Sequence, residues 1–119
     1  MPEMRTYTGG CHCGQVRFEC NTDLGMVTAC NCSICTKRGL HFTFLAPKDF
    51  QLRAGEDNLQ EYLFNRRTIR HQLCTDCGVD VFARGSRSDG TEVVALNVNC
   101  IDGIELSRLT MTLVDGRNK

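Results

Sequence analysis

The stretch CTDCGVDVFA, residues 74–83, sets a Cys-x-x-Cys pair and a glycine directly ahead of an alternating apolar run. The run GVDVFA (78–83) reads as a β-strand, because apolar residues at every second position line one face of a pleated chain. The cysteine pair ahead of it reads as a turn in which the backbone can fold around a metal ion. Two more cysteine clusters, GGCHCG (9–14) and CNCSIC (30–35), occur earlier in the chain. Strands whose ends are tied by cysteine turns are the expectation that follows.

The alternation recurs in QVRFEC (15–20), HFTFLA (41–46), LQEYLF (59–64) and EVVALNVN (92–99). Gly and Asp clusters punctuate these runs: AGED at 54–57, RSDG at 87–90 and IDG at 101–103. No long stretch carries an apolar stripe at helical period. One short helical turn is expected after CSICTKRG (32–39), with Gly39 as its C-terminal stop. A chain of 119 residues suits one domain, 1–119. The expected fold is mainly β, with small antiparallel sheets joined at their ends by metal sites and little helix.

Composition narrows the class. The apolar share is 41% and the charged share 24%, enough for an ordinary core. Fourteen Lys and Arg balance fourteen Asp and Glu, which argues against nucleic acid or an anionic membrane as partner. The opening MPEMRTYTGG lacks the apolar core of a signal peptide, and no run nears a membrane span. A cytoplasmic location is the resulting expectation. Reduced thiols are expected there, and the nine cysteines are an odd number, which fits a disulfide framework poorly. Metal binding is the better use for them.

Zinc takes four thiolates in a closed structural site, whereas catalytic sites use three protein ligands and keep one position for water or substrate. Seven clustered cysteines divide as four plus three. Spacing alone leaves the grouping open. Cys32, Cys35, Cys74 and Cys77 form two Cys-x-x-Cys knuckles that could make a zinc ribbon or an iron site. Equally, Cys30, Cys32 and Cys35 are compact enough to embrace one ion, with Cys11 and Cys13 joining Cys74 and Cys77.

The order C-x-C-G, then C-N-C-S-I-C-x-x-R-G, then H-x-x-C-x-x-C-G-V resembles the glutathione-dependent formaldehyde-activating enzyme family, which shares its domain with centromere protein V. VALNVNCIDGIEL (94–106) is similar to that family's closing segment, so the likeness runs from Gly9 to about Leu106. The resemblance implies a β-rich, Mss4-like fold with two zinc ions per chain. It assigns Cys11, Cys13, Cys74 and Cys77 to a structural zinc, and Cys30, Cys32 and Cys35 to a catalytic one. It also implies carbon–sulfur lyase activity on glutathione, or a similar small thiol, and formaldehyde.

The chemistry of the three-cysteine set agrees with that implication. Three thiolates on Zn²⁺ leave a net charge near −1, a weak Lewis acid better suited to carrying a thiolate than to polarising a carbonyl. A bound thiol has a lowered pKa and could add to an aldehyde, giving an S-hydroxymethyl adduct. The alternative, permitted by the likeness to centromere protein V, is a non-catalytic zinc module for protein or chromatin partners.

The remaining candidates have plainer readings beside functional ones. Cys20 is expected to pack as a small hydrophobe, and Cys100 to be structural at a strand end. His71 either hydrogen-bonds a metal-bound sulfur or is a satisfied histidine; His12 and His41 are expected at the surface. Lys37 and Arg38 could pair with a substrate carboxylate, with solvated surface the plainer reading. Arg66, Arg67 and Arg70 are expected to pair with Glu56, Asp57 and Glu61. Asn97 and Asn99 could share one strand face and donate to an oxyanion, or bond across strands. Gly14, Gly39 and Gly78 are expected where the backbone needs positive φ or close approach.

Overall fold

Short β-rich segments of alternating polarity cannot bury their apolar faces alone, so they pair into sheets and the sheets stack. The structure, a computed structural model, describes residues 4–30, 37, 39–64, 69–86, 89–105, 109 and 111–114, with the backbone alone for Cys30, Phe64 and Val114. Among these residues ten strands form: β1 (Arg5–Gly10), β2 (Arg17–Thr22), β3 (Val27–Cys30), β4 (Phe42–Leu45), β5 (Phe50–Ala54), β6 (Leu59–Phe64), β7 (Ile69–Cys74), β8 (Asp80–Ser86), β9 (Glu92–Asn97) and β10 (Met111–Val114). The mainly-β expectation holds. Among the described residues helical structure is confined to short 3-10 turns and Lys37; the turn expected over 32–39 falls, apart from Lys37 and Gly39, outside them.

Strands β1, β2 and β5 make a three-stranded sheet, and the rest form a seven-stranded sheet in the order β10-β3-β4-β9-β8-β7-β6. All pairings are antiparallel except β10 with β3. The core lies between the sheets. Phe50 of β5 stacks on Phe18 of β2 and Phe82 of β8, with ring centroids 5.7 and 4.6 Å apart. Val16, Val81, Val94 and Leu96 fill the same space with no exposed surface. Strand β2 alternates buried Phe18, Cys20 and Thr22 with more exposed neighbours, as a strand covered on one face should. Cys20 is 1% exposed, and burial, with little relief from the Tyr7 amide, pushes its thiol up to about 11. It packs as an inert apolar residue.

The large sheet curls. Phe42 on β4 and His71 on β7 point to the same face, and β9 and β8 lie between them. A flat sheet would hold positions three strands apart at about 14 Å. Their rings are only 6.2 Å apart. The curl brings the start of β4, the start of β8 and the end of β9 around one region, and the cysteine turns border it.

Candidate metal centre

Two turns build the centre. The β1–β2 turn carries Cys11 and Cys13, and the β7–β8 turn carries Cys74 and Cys77. Each closes in the same way. The Cys11 amide donates to the Val16 carbonyl at 3.1 Å, and the Cys74 amide donates to the Val79 carbonyl at 3.0 Å, five residues on in both cases. Gly14 and Gly78 turn the chain at φ 85° and 78°. A Cβ built at either would meet nothing within 4 Å, so glycine is required there by backbone conformation and not by crowding.

The consequence is convergence of four sulfurs. The Sγ atoms of Cys11, Cys13, Cys74 and Cys77 all lie within 4.8 Å of one another, with Cys11–Cys13 at 3.5 Å and Cys13–Cys74 at 3.6 Å. A tetrahedral ion with metal–sulfur bonds of about 2.3 Å needs sulfur–sulfur edges of about 3.8 Å. The donor set therefore fits zinc in number, element and spacing.

The thiols titrate as a group. Burial pushes Cys77 up, but the amides of Val79 and Cys13 and the thiols of Cys74 and Cys11 outweigh it and hold Cys77 at about 6. At Cys13 the Gln15 amide lowers the thiol, yet burial and the neighbouring sulfurs push it up to about 12. Cys11 is lowered: burial opposes ionisation, while the Val16 amide, 3.3 Å from the sulfur, and the thiols of Cys13 and Cys74 favour it. Four thiolates this close cannot all ionise on their own. A dication would hold all four as anions and release their protons.

Cys30 ends β3, while its side chain and the whole of Cys32 and Cys35 lie outside the described residues. So do Arg38, Arg66 and Arg67. The flanks of that segment are described. Strand β3 pairs with β4 through Thr28 and Phe42, and Gly39, at φ 64°, leads into β4. A cleft of about 710 Å³ lies beside this flank and the four-sulfur turns, lined among others by Leu40, Cys77, Asp80, Asn99 and Cys100.

The other candidates find defined places. His71 is a satisfied buried histidine whose Nδ1 lies 2.9 Å from the Asp80 carboxylate, at 3% and 2% side-chain exposure. Asp80 was not anticipated; its position just past the cysteine turn of 74–78 was the available signal. Cys100 is buried against the cleft, and burial, with Asp80 and the nearby cysteines, pushes its thiol up to about 12. His12 is exposed at the cleft, and Lys37 is exposed. Arg70 pairs with Glu61 at 3.8 Å. Asn97 and Asn99 do not share a strand face: β9 ends at Asn97, whose side chain accepts the Asn99 amide and starts a 3-10 turn, Val98–Cys100. His41 Nδ1 lies 3.2 Å from Asn99 Oδ1.

Comparison with known proteins agrees with this geometry. The chain is similar over 88% of its length to a Rhodobacter sphaeroides protein of known crystal structure, at 29% identity, covering 99% of that chain with a TM-score of 0.76. No helix among the described residues is long and apolar enough to cross a membrane. Residues 6–112 match the family model described as glutathione-dependent formaldehyde-activating enzyme, and the chain belongs to that family.

Proposed function

We propose that the protein is a zinc-dependent carbon–sulfur lyase that joins a glutathione-like thiol to a small aldehyde such as formaldehyde, or reverses that addition. The observation that carries this reading is the convergence of Cys11, Cys13, Cys74 and Cys77 in a chain of this family. Those four sulfurs fill a tetrahedron and leave Cys30, Cys32 and Cys35 as a set of three. A ribbon built from Cys32, Cys35, Cys74 and Cys77 would need the corners that Cys11 and Cys13 occupy. On this reading one domain carries two zinc ions, one structural and one catalytic.

Zinc at a three-thiolate site supplies a place where an incoming thiol is held as its anion near neutral pH. The chain's own residues position the reactants. Strand β3 delivers Cys30, the start of the three-cysteine segment, and the cleft between Leu40, Asn99 and the β7–β8 turn offers the thiol and aldehyde a common space. The thiol's proton ends on the aldehyde oxygen as the carbon–sulfur bond forms, so no further reactant is needed.

Zinc-loaded protein mixed with glutathione and formaldehyde should speed formation of the S-hydroxymethyl adduct, followed by NMR. Cys35→Ser should abolish the acceleration. No acceleration with glutathione or with several other small thiols overturns the lyase reading.

A further inference from the structure

We propose that Asn58 is a positioning residue that clamps the two cysteine turns together at the spacing the ion needs. The proposal rests on reading Cys11, Cys13, Cys74 and Cys77 as a zinc site. Strand β5 belongs to the small sheet and β6 to the large one, so their link, residues 55–58, crosses between the sheets. It crosses beside both cysteine turns and grips each of them.

Two contacts reach the β7–β8 turn. The Thr75 amide donates to the Asn58 carbonyl at 2.8 Å, one step past the Leu59–Cys74 pair of the β6–β7 ladder. The Asn58 side-chain amide donates to the Asp76 carboxylate at 3.1 Å. Thr75 and Asp76 are the two residues between Cys74 and Cys77. Two further contacts reach the β1–β2 turn. The same side-chain nitrogen donates to Gln15 Oε1 at 3.3 Å, so its two protons are divided between the two turns. Gly55, at φ 86°, packs so closely that a Cβ there would sit 2.3 Å from the Gln15 carbonyl oxygen and 2.7 Å from Val16 Cα. Those two residues face the sulfurs directly: the Gln15 backbone amide serves Cys13, and the Val16 amide lies 3.3 Å from Cys11 Sγ.

The link itself asks nothing of the Asn58 side chain. Its turn is closed by backbone, the Asn58 amide donating to the Gly55 carbonyl at 2.8 Å. The side chain instead reaches forty-three positions back to Gln15 and eighteen forward to Asp76. Cys11 and Cys13 arrive from the small sheet, and Cys74 and Cys77 from the large one. Four sulfurs can share one ion only while these turns keep their relative place, and affinity depends on how well that place is held. Loss of an outer hydrogen bond that orients a site lowers metal affinity about 10- to 100-fold.

The test compares the wild-type chain with Asn58→Ala, with Asn58→Asp and with the double variant Asn58→Asp, Asp76→Asn. Asn58→Asp sets a second carboxylate against that of Asp76. In the double variant donor and acceptor change places: the new amide at 76 donates to the new carboxylate at 58, and the Gln15 amide rotates to do the same. Each zinc-loaded full-length chain is titrated with a chelator. Alkylation of the peptides bearing Cys11, Cys13, Cys74 and Cys77 is followed by mass spectrometry, which reads this site alone. Both single variants should lose protection at about tenfold lower chelator concentration, and the double variant should return to within about threefold of wild type. An Asn58→Ala midpoint within about twofold of wild type overturns the clamp and leaves the zinc site standing. A double variant no better protected than Asn58→Asp does the same. A wild-type chain whose four thiols are alkylated equally with and without zinc removes the zinc reading, and the clamp with it. If the Asn58 variants do not fold, Asp76→Ala, which strips one partner and leaves the link intact, should lower the midpoint several-fold; no change there overturns the proposal.

Discussion

A histidine and an aspartate closed off from water hold each other in place between β7 and β8. His71 and Asp80 are nearly inaccessible, so removing the ring takes away a buried hydrogen bond and leaves a cavity between the strands. His71→Ala should destabilise the domain by about 2 kcal/mol or more, read from urea unfolding at neutral pH. Asp102 is the contrasting case at the surface. The Arg17 guanidinium donates to its carboxylate and, against slight burial, holds the carboxyl below its ordinary 3.8. A carboxyl lowered on folding contributes stability that is present above its unfolded value and lost as pH falls through the folded one. Asp102→Asn should therefore cost at most about 1 kcal/mol at pH 7, both groups being more than a third exposed, and progressively nothing in acid. Denaturant midpoints at pH 7 and at pH 3 and below check the sign.

Strand β6 occupies the residues its alternation marks, 59–64, whereas the strand expected over 92–99 stops two residues early. The reason is local: the Asn97 side chain captures the Asn99 amide and winds the chain into a turn. Strands β1 and β7 escape a reading by alternation because each carries charged or polar residues where a strand buried on one face would show apolar ones; β5, FQLRA, does alternate but is only five residues long. Their place is set by neighbours. Strands β3 and β10 are four residues each and pair in parallel, which no hairpin signal announces. The four-sulfur cluster was legible as cysteine identity and spacing, but its grouping was not, since Cys13 and Cys74 stand sixty-one positions apart. The buried His71–Asp80 pair was hidden for a related reason: it forms across a turn between two strands. One element junction gives a sharp expectation. A Cβ at Gly9 would sit 2.1 Å from the Cys100 carbonyl oxygen and 2.6 Å from the Phe18 ring, where β1 bridges to Ile101. Gly9→Ala should lower stability by about 2 kcal/mol or more, measured by thermal unfolding.

At the scale of the molecule the two cysteine turns join the small sheet to the large one, so metal and fold stand or fall together. Chelation of the zinc, or Cys74→Ser, should abolish cooperative unfolding in calorimetry. On the two-zinc reading proposed above, Cys35→Ser should keep a cooperative transition and bind one ion fewer than the wild type. The spacing between the turns also bears on how the protein is made. An ion shared by Cys13 and Cys74 acts as a cross-link over a ring of about sixty residues, a constraint on the unfolded chain of about 4 kcal/mol. While the ribosome is still building that ring, Cys11 and Cys13 have no counterpart, and the nascent chain carries bare thiols until Cys77 has left the exit tunnel. Capture of an ion by all four sulfurs therefore has to wait for the second turn, and a chain made without zinc would keep these thiols bare.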